Sequence, residues 1–382
     1  MTNPETPPRT GPLADVRVLD LSTVLAGPGC ARHLADFGAD VIKVERAGVG
    51  DTARNLGWRD PVDDETYFFK VANRNKRFVE LDLASEEGCR LLLRLVATAD
   101  VLVENMRPGK LEALGLGPEV LHQHRPSLVI VRVTAFGQTG PYRNRPGFAT
   151  LAEAMSGFAA LNGAEDGPPT LPPVALTDEV TALAAAFAAM VALHSGVGQV
   201  VDVNLVESLL QIMGPLPSLW LRGGELQPRL GSGLPYSVPR GAYRTSDDRW
   251  IAVSTSADTV AARVMDMIGL GGDPRVATTA DRMANRLLVE DRMAAWTAER
   301  TLAEALAGFE AADAAAAAVY DMNDLAADPH AVDRGLFVEA EGFPMQGLVA
   351  RLSATPGAVR WPGRARGADN DEVLGSLDEP AG

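Results

Sequence analysis

The chain is nearly empty of the residues that build metal and redox centres. Of its 382 residues only two are cysteine, Cys30 and Cys89, and five are histidine. The cysteines sit in no ligand spacing and make no disulfide framework. The histidines form no HExxH or comparable pattern, so no metal is expected. Surplus positive charge is missing as well. Thirty-five Lys and Arg face fifty Asp and Glu, a formal charge of −15, which argues against nucleic acid or an anionic membrane as partner, since phosphate contact needs a cationic excess. No run suggests a membrane span. Residues 1–13 are polar and proline-rich, without the apolar core of a signal peptide, and the cytoplasm is the expected compartment. What is present is ordinary globular usage, 46% hydrophobic and 22% charged, in a chain long enough for two domains.

The stretch that organises the rest is residues 168–195. Prolines at 168, 169, 172 and 173 forbid helix before Val174, and Thr177 or Asp178 then stands where an N-cap is expected. Residues 180–193 are apolar on nearly every side, which predicts a helix buried all round with a carboxylate at its mouth. Asp178 reads in two ways. It either only caps the helix, or it is a reactive carboxylate kept ionised in a dry pocket by free N–H groups and the positive helix end.

Residues 16–21 and 41–44 read as strands and residues 31–37 as the helix between them, a βαβ unit that implies a parallel sheet. Residues 77–83, 100–104 and 128–133 add three strands, with a helix over residues 85–98. Polar clusters gather at strand ends: Glu45-Arg46, the run from Asn73 to Arg77, and Glu104-Asn105 with Arg107. Open α/β sheets bind ligands beyond the carboxyl ends of their strands, so in this acidic chain the clusters predict a local site for a phosphorylated ligand. A dinucleotide is a rival ligand. Gly27-Pro28-Gly29 is followed by Arg32 where its fingerprint needs a small residue, and no nicotinamide is expected.

These segments, taken in order, resemble the family III CoA-transferases, which include α-methylacyl-CoA racemase. The likeness is carried by Val18-Leu19-Asp20-Leu21-Ser22 with Ala26-Gly27-Pro28, by residues 34–45, Asn75-Lys76-Arg77, Glu104-Asn105 with Arg107-Pro108-Gly109, residues 136–141, residues 198–203, and Asp328-Pro329-His330 with residues 334–338. The resemblance implies an α/β fold with a Rossmann-like parallel-sheet large domain formed by both chain ends and a smaller α+β domain, in an interlocked homodimer. Residues 1–205 would begin the large domain, 206–237 a linker helix and loop, 238–334 the small domain, and 335–382 the return. It also implies coenzyme A as substrate. Arg46, Lys76, Asn105 and Arg107 fall on CoA-contacting positions, Val24, Leu25 and Ala26 lie beside the thioester, and Asp178 falls on the catalytic aspartate. Residues 231–233 resemble a glycine-bearing loop, so Gly231 and Gly233 are candidates for the acyl site.

The implied reaction moves CoA from an acyl-CoA donor to a carboxylic acid acceptor through an aspartyl-acyl anhydride and an aspartyl-CoA thioester on Asp178. A racemase needs a second acid/base, which the family supplies as a histidine where this chain has Phe148; that departure favours transfer. Leu25 and Phe148-Ala149 replace polar groups found in formyl and oxalyl transferases, which predicts a larger, partly apolar acyl group lined by Leu25 and Phe148. An α-methylacyl-CoA racemase-like isomerase and a catalytically inactive CoA-binding protein remain the alternatives. The alanine-rich run at residues 311–320 is expected to be more helical than its counterpart in the family.

Overall fold

The computed structural model describes residues 10–255 and 257–377; most of the expected N-terminal arm and the end of the return segment lie outside the described residues. Six strands, β1 (Arg17–Asp20), β2 (Asp40–Arg46), β3 (Arg77–Leu81), β4 (Val101–Glu104), β5 (Val129–Thr134) and β6 (Gln199–Asn204), form one sheet in the order β3-β2-β1-β4-β5-β6. Every neighbouring pair is parallel. Alternate residues feed opposite faces, as strand geometry requires. Val18, Val41, Val101 and Val129 pack with the alanines of two helices, Ala26–Asp36 and Leu176–Ser195. Leu19, Ile42, Leu102 and Ile130 pack on the other side with Leu92 and Leu95 of the helix Glu86–Val96. Both faces are covered, which is why the central strands read as continuous apolar runs.

The strand order places a switch point between β1 and β4, where the chain leaves in opposite directions and the two following loops rise side by side. The helix after β1, expected from Ala31, begins at Ala26 and contains Gly27-Pro28-Gly29. Proline is tolerated there because a first-turn N–H has no intrahelical acceptor. The glycines allow close packing: a Cβ on Gly27 would lie 2.3 Å from the Cβ of Ser22, and one on Gly29 would lie 2.8 Å from that of Ala182. β6 follows the Leu176–Ser195 helix and was not expected as a strand; its outer positions are partly exposed, so no apolar run announces it.

By chain contacts the protein divides into two compact units. One comprises residues 1–156, 172–214 and 332–382, and the other residues 157–171 and 215–331. Residues 157–171 go with the second unit, where Arg229 donates to the carbonyls of Ala160 and Gly167, and Arg286 pairs with Glu165 at 2.8 Å. That unit carries an antiparallel sheet, β7 (Arg240–Arg244), β8 (Trp250–Ser254) and β9 (Ala316–Ala318), over a core that includes Ile251, Val253, Val289, Met293 and Phe309. The expected extra helix in the alanine run is therefore corrected: the helix Leu302–Ala311 stops there, and Ala316–Ala318 pairs with β8 instead.

In the first unit, residues after 331 make a hairpin, β10 (Phe337–Ala340) and β11 (Phe343–Gln346), and then run along β3. The N–H of Phe78 donates to Asp369 Oδ2 at 2.7 Å, that of Glu80 to Asn370 Oδ1 at 3.0 Å, and the Trp361 indole to the Lys76 carbonyl at 2.9 Å. The return segment thus satisfies an otherwise open sheet edge.

Candidate active site

The site is built at the carboxyl end of the sheet, around the loop from Ser22 to Leu25. Asp20, at the end of β1, is fully buried with Lys43 and Lys76. Its Oδ2 lies 2.8 Å from Lys76 Nζ and 3.6 Å from Lys43 Nζ, while Oδ1 accepts from the N–H and hydroxyl of Ser22. Lys43 reaches Asp51 at 2.8 Å and donates to the Ser22 carbonyl. The two ammonium groups hold the Asp20 carboxyl below its ordinary range against the opposing effect of burial. Asp51 Oδ1 in turn accepts from the N–H of Val24 at 3.0 Å and of Ala53 at 2.9 Å. Val24 has φ +71°, which is strained for a β-branched residue.

Asn105, on the loop after β4, staples this loop from the other side of the switch point. Its Oδ1 accepts from the Thr23 N–H at 2.9 Å and its Nδ2 donates to the Thr23 carbonyl at 2.7 Å. Two cavities share Met106, the residue after Asn105. One, of ≈ 330 Å³, is bordered by Thr23, Arg46, Gly50 and Lys110. The other, of ≈ 180 Å³, brings together Asn105, Arg107, Arg143, Arg145 and Phe148. No carboxylate lines the second cavity among the described residues, and Arg145 instead stacks on the Tyr142 ring at 3.7 Å. Three guanidinium groups without an acidic neighbour, in a chain of charge −15, suit a phosphate or carboxylate ligand. Arg143 and Arg145 were not candidate site residues in the sequence; their signal is the pair of arginines just before Pro146-Gly147-Phe148.

Lys76 is placed differently from the expectation. Its ammonium is buried and donates to Asp20 Oδ2, the Pro28 carbonyl and Asn73 Oδ1, each at 2.8 Å, so all three N–H groups are used inside the protein. Burial depresses it to about 8. Lys76 supports the loop from behind, whereas Arg46 is exposed at the end of β2. Leu25 is buried and Phe148 is 70% exposed at the start of the helix Ala149–Met155.

Asp178 lies in the first turn of the Leu176–Ser195 helix, not at its cap, which is Ala175. Nor is that helix buried all round: an alanine face packs inward, while Leu183, Phe187 and Val191 are exposed. It is also the one helix, among the described residues, long and apolar enough to cross a membrane, contrary to the sequence expectation; in the fold it leads from the core into β6. The residues on either side of Asp178 are pinned. Thr177 donates its hydroxyl to Glu153 Oε1 at 2.8 Å, and Glu179 pairs with Arg32 of the Ala26–Asp36 helix at 2.9 Å. Burial, followed by the charges of Glu179 and Glu153, raises Asp178 to about 6. Half-buried and held above its ordinary range, it is a carboxylate with reduced solvation, which suits a nucleophile. Residues 231–233 lie in the second unit, where Arg240 donates to the Ser232 carbonyl.

The sequence model described as CoA-transferase family III matches residues 13–370. The chain is 40% identical to succinyl-CoA–D-citramalate CoA-transferase of Chloroflexus aurantiacus, over 97% of this chain and 94% of that protein. It is 37% identical to the beta subunit of succinyl-CoA–L-malate CoA-transferase of the same organism, over 96% and 94%. Among solved structures, a CAIB/BAIF family protein from Brucella suis superposes with a TM-score of 0.87 at 29% identity, over 97% of this chain and 100% of that one.

Proposed function

The chain belongs to CoA-transferase family III, and from that premise we propose that it transfers CoA between short carboxylic acids with Asp178 as the nucleophile. The observation that carries this reading is the Asp178 carboxylate itself, half-buried in a helix's first turn between two pinned neighbours and raised to about 6. Its oxygen attacks the thioester carbonyl of the donor, the carbon–sulfur bond breaks, and CoA leaves as thiolate. The enzyme then holds an aspartyl-acyl anhydride. The thiolate attacks the aspartyl carbonyl, expels the donor acid as carboxylate and leaves an aspartyl-CoA thioester. The acceptor carboxylate repeats the two steps in reverse and regenerates Asp178. The N–H groups of Thr177 and Asp178, first-turn donors that lack an intrahelical acceptor, suit the tetrahedral oxyanions, whereas those of Leu176 and Glu179 already donate to the Val174 and Ala175 carbonyls.

The two cavities that share Met106 are the proposed coenzyme A site. Arg107, Arg143 and Arg145 border one and suit its phosphates, and Arg46 and Lys110 border the other beside Glu45, Asp51 and Asp82. The two relatives named for succinyl-CoA, with citramalate or malate as acceptor, favour a short dicarboxylic acyl group over the larger apolar one suggested by Leu25 and Phe148. A second copy of the chain is the proposed partner. The exposed stripe of Leu183, Phe187 and Val191 is unusual for a soluble helix surface and supports burial in a dimer.

Trapping tests the reading directly. The protein is mixed with succinyl-CoA, quenched with hydroxylamine and analysed as an intact mass and by peptide mapping, beside Asp178→Ala. A hydroxamate on Asp178, absent from the variant, is expected. Turnover of succinyl-CoA with malate or citramalate but no adduct at Asp178 would overturn the assignment of the nucleophile.

A further inference from the structure

The geometry points to Glu153 as a positioning residue for the nucleophile: it clamps the first turn through Thr177 and brings its carboxyl group to the residue next to Asp178. This rests on Asp178 as nucleophile and goes beyond it. Glu153 lies on the helix Ala149–Met155 and is 4% exposed; Thr177 is fully buried. A buried hydroxyl needs a partner, and the Thr177 hydroxyl takes Glu153 Oε1 at 2.8 Å. Thr177 precedes Asp178 and Glu179 follows it, so the Glu153 and Arg32 contacts hold the first turn from two helices and fix the direction in which Asp178 points.

The charge matters because acylation moves charge. When Asp178 forms the anhydride, its oxygen–carbon bond is made, the donor's carbon–sulfur bond breaks, and the negative charge leaves the aspartyl group for the CoA sulfur. A neighbouring carboxylate disfavours the charged reactant and is relieved as that charge departs. Glu179 is the other carboxylate that acts on Asp178, but Arg32 already pairs with it. His33, next to Arg32, is held neutral by burial and by the arginine, at about 3. Asp36 on that helix is taken by Arg74. Cys30 on the same helix, a thiol pushed up to about 12 by burial, Arg132 on β5, Asp202 on β6, Glu207 on the helix Leu205–Ile212 and His194 at the far end of the nucleophile's own helix are the other ionisable groups on the elements packed here, and none contributes to the shift of Asp178. Glu153 is thus the carboxylate near Asp178 that no cation neutralises among the described residues.

Two variants separate the clamp from the charge. Glu153→Gln keeps an acceptor for Thr177 and removes the charge. Thr177→Val keeps the charge and removes the clamp, and Thr177→Ser restores it. Steady-state kinetics with succinyl-CoA are recorded from pH 4.5 to 8, with thermal melts of each protein. In Glu153→Gln the acid limb of kcat/KM, near pH 6 in the parent, is expected to move down by up to about one pH unit, with a loss of about tenfold on the plateau. Thr177→Val is expected to lose kcat with the limb unmoved, and Thr177→Ser to recover it. An unmoved limb in a folded Glu153→Gln protein would overturn the charge role, and full activity in Thr177→Val would overturn the clamp. Should Glu153→Gln fail to fold, the Thr177 pair still decides the clamp, and Glu153→Asp, which retains the charge on a shorter side chain, must keep the parent limb. The hydroxylamine adduct on the parent enzyme is read separately, so failure of the nucleophile assignment cannot be mistaken for failure of this one.

Discussion

The backbone N–H of Val24, a residue held at φ +71°, donates to Oδ1 of Asp51 at 3.0 Å, and Asp51 is itself anchored by buried Lys43 at 2.8 Å. The strained loop beside the site is thereby fastened to charges inside the sheet. Left-handed backbone costs a non-glycine residue about 1–2 kcal/mol. Val24→Gly is therefore expected to leave stability unchanged or raise it by up to about 1 kcal/mol, while lowering kcat because the loop is no longer held in one shape. Asp51→Asn weakens the anchor and is expected to cost about 2–4 kcal/mol by leaving Lys43 poorly paired. Urea denaturation and turnover measured on both variants check the pair; a Val24→Gly protein with parental kcat would refute the role of the strain.

Lys76 and Arg46 are expected to part company when each is truncated. Lys76→Met leaves Asp20 with one cation and strands two other acceptors, a loss of about 3–5 kcal/mol. Arg46→Ala removes an exposed charge and should change stability by less than about 0.5 kcal/mol while raising KM for the CoA substrate. Melting curves and KM values for both proteins test the contrast. A Lys76→Met protein of normal stability with raised KM would instead place the ammonium on the ligand.

Asp178 makes the fold pay for its chemistry. Its carboxyl titrates at about 6 in the folded chain and at an ordinary value when unfolded, so between those values the native state binds the proton more tightly. Stability is then expected to fall as pH rises from about 4 through 6, by an upper limit of about 3 kcal/mol. Asp178→Asn lacks this titration. It should be inactive, and its stability advantage over the parent should open across that interval, read by chemical denaturation at pH 4 and pH 7.5. An advantage equal at both values would show that the carboxyl is not shifted.

Gly29 sets how closely two helices approach. A methyl group there would lie 2.8 Å from the Cβ of Ala182, both atoms being fixed to helix backbones, so Gly29→Ala must push the helices apart. A loss of about 1–3 kcal/mol is expected despite the better helix propensity of alanine. Because Asp178 is one turn from Ala182, kcat should fall as well. A stabilised, fully active variant would count against this account of the packing.

Much of the scaffold was legible because buried parallel strands leave apolar runs, as at Val101 to Val103 and Val129 to Val131. Beginnings were harder. Pro28 hid five residues of helix, since a proline in the first turn looks the same in sequence as one that breaks a helix. Asp178 was singled out from the prolines before it, but the helix starts two residues earlier, so the local signal for a cap was misleading. Lys76 shows a different limit: its residue type suits a phosphate, and nothing nearby in sequence reveals that its acceptors are Asp20 and Pro28, 56 and 48 residues away. Glu153 left no signal at all, being one acid on an alanine-rich helix whose partner lies 24 residues on. Contacts of that kind are tertiary, and no periodicity encodes them.

The stitching of β3 by the end of the chain also has a meaning in time. Phe78 receives its acceptor from Asp369, 291 residues later. At synthesis rates of about 5–20 residues per second, the strand's outer edge waits about 15–60 s for the segment that covers it. During that interval the nascent protein carries an open template for another chain's strand. Any cellular factor that shields strand edges therefore has a window of that length, on the ribosome, in which to decide whether this sheet is completed or joined to a stranger.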